Sequence, residues 1–120
     1  MYVIHHAHLS AHDTDGGQHL VVAGPECGIA GFQVSLQVLA PGGHSAPQQH
    51  AGELAAIVLA GSGKVLVDGG PQRFQSPCTV VVPPQVEFQF VNNAAMPLQL
   101  VLGCSAVPQM TGRCCGCPAD

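Results

Sequence analysis

The chain has 120 residues, enough for one domain with its own core and too few for two ordinary ones. Nearly half of it is apolar and 8% is charged, with a formal charge of −4, so disorder is excluded for the body of the chain. Lys64, Arg73 and Arg113 are the only Lys or Arg residues and cannot build a basic stripe, which argues against nucleic acid as a partner.

Fifteen glycines and ten prolines suit short strands joined by tight turns better than surface helices. In chain order, strands are expected near 2–6, 19–23, 29–39, 54–60, 64–68, 72–75, 78–82, 86–91 and 98–106. Met1-Tyr2-Val3-Ile4-His5-His6 lacks the charged start and long apolar run of a secretory signal, and no apolar run is long enough to cross a bilayer. A cytoplasmic location without membrane contact is the resulting expectation. Cys27, Cys78 and Cys104 then read as reduced thiols packed like small hydrophobes.

Between residues 32 and 38 the apolar Phe32, Val34, Leu36 and Val38 alternate strictly with polar residues and share one face. Ala51 to Leu59 has helix-like alanines, but its exit through Gly61-Ser62-Gly63 into Lys64-Val65-Leu66-Val67 reads as a hairpin. Asp68-Gly69-Gly70 is hairpin-turn chemistry, since glycine adopts positive φ at low steric cost. Val86, Phe88 and Phe90 alternate again, as do Leu98, Leu100 and Leu102. Many short strands with Gly/Pro turns imply an all-β sandwich or barrel. One barrel over 1–108 with an N-terminal edge strand, followed by a mobile cysteine-rich tail over 109–120, is the expected organisation.

Two spaced blocks carry a resemblance. Gly42, Gln48, His50, Leu54 and Gly61 fall on the spacing G-x5-H-x-H-x3-E-x6-G, and Pro77, Pro83, Gln85, Phe88 and Asn92 fall on G-x5-P-x-G-x2-H-x3-N. In this the chain resembles the cupin superfamily, small double-stranded β-helix (jelly-roll) barrels. The resemblance implies that the family's metal ligands correspond to Gln48, His50, Leu54 and Phe88. Leu54 and Phe88 cannot coordinate an ion. Glu53 lies one place before the expected carboxylate, and a bulge after Gly52 would be needed to turn it inward.

The remaining chemistry-bearing residues are peripheral to this pattern. His44 lies in a Gly-rich turn, where a solvent-exposed ring is expected. His5, His6, His8 and His12, with Asp13 and Asp15, form a metal-friendly start, though strand alternation would keep the imidazoles from converging. Cys114, Cys115 and Cys117 crowd into the tail without the spacing of a zinc ribbon. Cys104 could meet His50 as a nucleophile pair, against the commoner packing role of a buried cysteine. Ser45 has no evident base.

Three functions are compatible with these residues. The leading one is a barrel that binds a small molecule without a tightly held metal, its pocket lined by Gln48, His50, Phe88 and Phe90. An alternative is a metal-dependent enzyme of dioxygenase or isomerase type, with Gln48, His50 and Glu53 holding Fe, Mn, Ni or Zn. The third is a thiol- or metal-handling protein acting through the histidine-rich start and the cysteine tail. Whether the chain is an enzyme stays open at this level. A homodimer joined through edge strands is the expected assembly.

Overall fold

A computed structural model describes residues 3–14 and 16–105. Among these lie nine strands: β1 (His12–Thr14), β2 (Gly17–Ala23), β3 (Phe32–Leu39), β4 (Leu54–Ala60), β5 (Ser62–Val67), β6 (Gly70–Gln75), β7 (Cys78–Val82), β8 (Phe88–Val91) and β9 (Leu98–Ser105). They form a six-stranded sheet in the order β1-β2-β3-β9-β4-β7 and a three-stranded sheet in the order β6-β5-β8. Every pairing within the two sheets is antiparallel.

Both sheets feed one core. Leu98, Leu100, Leu102 and Cys104 of β9 and Leu54, Ala56 and Val58 of β4 meet Val65, Phe88 and Phe90 of the smaller sheet. Period-2 alternation accounts for each set, since every second side chain of a strand leaves on the same face.

The segment near 2–6, expected as a strand, is not one over its described residues. Its backbone closes locally: His8 N–H donates to the His5 carbonyl and Leu9 N–H to the His6 carbonyl, giving a 3₁₀ turn at His6–His8. Consecutive histidines offer no alternating apolar face to bury, so nothing recruits this stretch to a sheet. The N-terminal edge strand is β1 instead, paired to β2 with His12 opposite His19.

The hairpin expected across 54–68 is also corrected. β4 and β5 are joined tightly but belong to different sheets. Gly61 makes the corner at φ 103°, and a Cβ there would stand 2.8 Å from the Pro97 carbonyl oxygen. Only glycine satisfies both demands. The Asp68-Gly69 turn does form a two-residue hairpin between β5 and β6, with φ of 50° and 82° at its two residues.

Strand β3 is inverted relative to ordinary amphipathic strands. Its buried residues are Gln33, Ser35, Gln37 and Leu39, while Phe32 is 49% and Val38 39% exposed. The alternating apolar face therefore looks outward and the polar face looks into the barrel. Register imposes this parity: Gln33, Gln37 and Leu39 pair with the inward Cys104, Leu100 and Leu98 of β9. A one-residue slip would exchange both faces, but it would also expel Leu39 from the core.

Candidate functional site

The loop from Ala40 to Gly52 crosses the barrel beside β8 and delivers the first-block residues. Ser45, 1% exposed, accepts the Phe90 N–H at its Oγ (3.0 Å), and its own N–H donates to the Phe90 carbonyl (2.9 Å). Ser45 is thus a fastener rather than a nucleophile. Gln48 exchanges two backbone bonds with Phe88, at 2.9 and 2.8 Å, which places the first block against the second. The His50 carbonyl then accepts the Gln85 N–H at 2.8 Å.

These bonds bring three of the sequence-derived pocket residues into one aromatic run. The His50 ring lies 5.6 Å from Phe88, Phe88 lies 5.8 Å from Phe90, and Phe74 extends the run 6.2 Å beyond Phe90. All are ring-to-ring centroid distances with tilted or edge-on geometry, the favoured arrangement for aromatic pairs. Gln48 is half-buried, its backbone bridged to Phe88. His50 is buried, its Nε2 finds no hydrogen-bond partner among the described residues, and burial pushes its pKa down. It is therefore a neutral imidazole at neutral pH.

The other candidates lie elsewhere. Glu53 is exposed, and β4 begins at Leu54 with no bulge in its pairing to β7 at that end. His44 is exposed, its Nδ1 lying 3.2 Å from Gln89 Nε2. Cys104 is inward on β9, paired in register with Gln33 on one side and Leu54 on the other. His5 and His8 rings touch at 5.8 Å on the surface. Among the described residues, no three His, Cys, Asp or Glu side chains converge as a metal site. Asp15, Cys114, Cys115 and Cys117 lie outside the described residues.

A buried polar wall on β2 and β3 of the larger sheet escaped the sequence reading. His19 of β2 pairs directly with Gln37 of β3, and both are buried with an unpartnered atom, Nε2 and Oε1 respectively. Ser35 and Gln33 continue the wall along β3. Burial, then the charge of His12 across the strand pair, lowers the His19 pKa from 6.5 to about 4. One signal was available in advance: the polar positions of β3 carry glutamines and serine and none of the Lys or Glu usual on a solvated face.

The family's metal does not fit this residue set. The four ligand places implied by the motif hold Gln48, His50, Leu54 and Phe88, and Leu54 and Phe88 are 1% and 2% exposed within the apolar core. The nearest carboxylate in sequence, Glu53, is exposed. One imidazole and one amide are a weak donor set for a divalent ion, and the surrounding apolar side chains raise the cost of burying it.

Comparisons with known proteins agree with this architecture. The polyketide cyclase RemF from Streptomyces resistomycificus superposes with a TM-score of 0.73 at 17% identity, over 91% of this chain and 82% of that one. An RmlC-like cupin from Shewanella frigidimarina gives 0.72 at 15% identity, covering 91% and 94%. A sugar phosphate isomerase of the cupin superfamily from Silicibacter pomeroyi gives 0.66 at 23%, covering 78% and 61%. At these identities the likeness is one of fold. Among the curated proteins none matches the sequence. The family model for the cupin domain matches residues 35–103, which include both motif blocks and strands β4 to β8, and the chain belongs to the cupin family.

Proposed function

We propose that this cupin binds an uncharged small organic molecule between the aromatic run and the polar wall, without relying on a tightly held metal. The observation that carries the reading is the character of the interior. Among the described residues the buried polar side chains are His19, Gln33, Ser35, Gln37, Ser45, His50 and Asn92, with no carboxylate, Lys or Arg. The two histidines are held neutral by burial. A buried charge on a ligand would find no partner there, whereas hydroxyl, carbonyl and aromatic groups match amides, neutral imidazoles and ring faces. A fold neighbour whose name specifies a polyketide cyclase lends support, since that name specifies an organic substrate.

Among the described residues no helix is long and apolar enough to cross a membrane. Thermal unfolding with benzyl alcohol, benzoate and benzylamine as paired probes tests the charge rule. The neutral alcohol raises Tm, the two ions do not, and His50→Ala removes the response. Stabilisation by benzoate alone overturns the reading.

Metal content separates this function from its alternative. Protein prepared without a histidine tag is expected to carry well under one equivalent of Fe, Mn, Ni or Zn by elemental analysis. One equivalent that disappears in His50→Ala but survives removal of residues 109–120 establishes the metal-dependent reading instead.

A further inference from the structure

The inward face of the larger sheet is divided by chemistry. Its β2–β3 half carries His19, Gln33, Ser35 and Gln37, all buried. Its β9–β4 half carries the apolar Leu100, Leu102, Ala56 and Val58. Register joins the halves in continuous rows. His19, Gln37, Leu100 and Val58 make one row, and Ser35, Leu102 and Ala56 lie beside it.

The polar end of the first row is left with unmet hydrogen bonding. His19 Nε2 and Gln37 Oε1 are buried without a partner, in residues that are 3% and 4% exposed. As direct cross-strand partners the two side chains start with Cβ atoms about 5 Å apart. Neither atom bonds the other. Buried polar groups without partners cost stability, and an apolar pair of similar shape would avoid that cost. The same row accommodates such a pair, since Leu100 and Val58 occupy its next two places.

We infer that His19 and Gln37 together form a subsite for the hydroxyl of a phenol or alcohol whose apolar body lies along β9 and β4. This rests on the small-molecule pocket proposed above and narrows its ligand. A hydroxyl is the smallest neutral group that donates and accepts through one atom. It donates to Gln37 Oε1 and accepts from the imidazole of His19. It serves equally if the amide is turned or the imidazole takes its other tautomer.

Other head groups fit less well. A carbonyl or an ether has no proton to offer Gln37 Oε1. An ammonium or a carboxylate would be buried without a counter-charge, because burial keeps His19 neutral and among the described residues no Lys, Arg, Asp or Glu is buried. Leu100 and Val58, next in the row, match an apolar body rather than further hydroxyls.

Isothermal titration calorimetry with benzyl alcohol and benzyl methyl ether tests the subsite, since only the alcohol oxygen bears a proton. The wild-type chain is expected to bind the alcohol at least ~10-fold more tightly. Gln37→Met keeps the length of the side chain and removes its amide, and is expected to shrink that preference below ~3-fold. Without ligand the same variant is expected to unfold at least ~3 °C above the wild type, because it removes an unmet acceptor. A glutamine that only held the fold together would shift the other way. His19→Leu is expected to reproduce both effects, and serves should Gln37→Met not fold.

Equal affinity for alcohol and ether overturns the inference and leaves the neutral pocket standing, whereas a wild type that binds neither overturns both. An unchanged preference in both variants overturns it too. So does a lower Tm for both ligand-free variants, since water or the chain itself would then satisfy the two groups. Tighter binding of erythritol than of benzyl alcohol also overturns it, because the ligand would then be a polyol without an apolar body.

Discussion

Replacing Asn92 by alanine is expected to destabilise the fold by about 3 kcal/mol, the largest effect of any single polar truncation in the described barrel. The residue is fully buried. Its Nδ2 donates to the Leu39 and Met96 carbonyls, both at 2.9 Å, and its Oδ1 accepts the Ala94 N–H at 3.0 Å. Its backbone adds bonds to Gly42 and Gly43. One residue therefore ties the end of β3, the opening glycines of the first motif block and the β8–β9 connection. Alanine keeps the backbone bonds and leaves two carbonyls and one N–H without their partner. Asn92→Asp is expected to be worse than alanine, because a carboxylate would face the same two carbonyl oxygens with no proton to offer. Urea unfolding measures both variants. A loss below ~1 kcal/mol for Asn92→Ala would show that water or relaxation satisfies these groups, and would remove Asn92 from its place as the clasp of this barrel end.

Acid is expected to unload stability through His19. Its folded pKa of about 4 stands below the unfolded value of 6.5, so in that window the unfolded chain binds a proton that the folded chain refuses. Above about 6.5 both forms are neutral and the residue has no pH effect. As the pH falls from there to about 4, stability is lost progressively, up to about 3 kcal/mol, and below about 4 the loss is complete. His50 shifts in the same direction for the same reason. Urea unfolding of wild type and His19→Gln across pH 7.5 to 4 isolates the contribution. The variant should show a flatter profile whatever its absolute stability at neutral pH. Parallel profiles would mean that His19 takes up its proton as readily in the folded state as in the unfolded one.

Both effects arise from residues whose importance differs in how visibly the sequence displays it. Asn92 closes the second motif block, so its spacing was legible; its bond to the Leu39 carbonyl was not, because that acceptor lies on a strand remote in sequence. His19 sits in an unremarkable stretch between Gln18 and Leu20. Nothing local marks it as buried, and its environment exists only once β2 lies against β3. The pairing of His50 with Phe88 occupies the middle ground. Motif spacing nominated both positions, but the 5.6 Å ring contact depends on the backbone exchange between Gln48 and Phe88.

Strand β3 shows the limit of pattern reading most clearly. Strict alternation from Phe32 to Val38 revealed two faces. It could not reveal that the apolar one points away from the core, because period-2 symmetry is blind to which side the second sheet occupies. The same blindness affected the 54–68 stretch. Its apolar strands and glycine turn were readable, yet the chain changes sheets at Gly61, and the constraint that requires glycine there comes from Pro97, distant in sequence.

By itself, then, the sequence determined the class of fold, nearly all the strands, the Asp68-Gly69 turn and the family, because these depend on local alternation, turn chemistry and spacing along the chain. Tertiary structure alone decided the parity of β3, the outward place of Glu53 and the burial of His19 against Gln37. Each of those depends on the register between strands remote in sequence, where one residue of slip exchanges inside for outside.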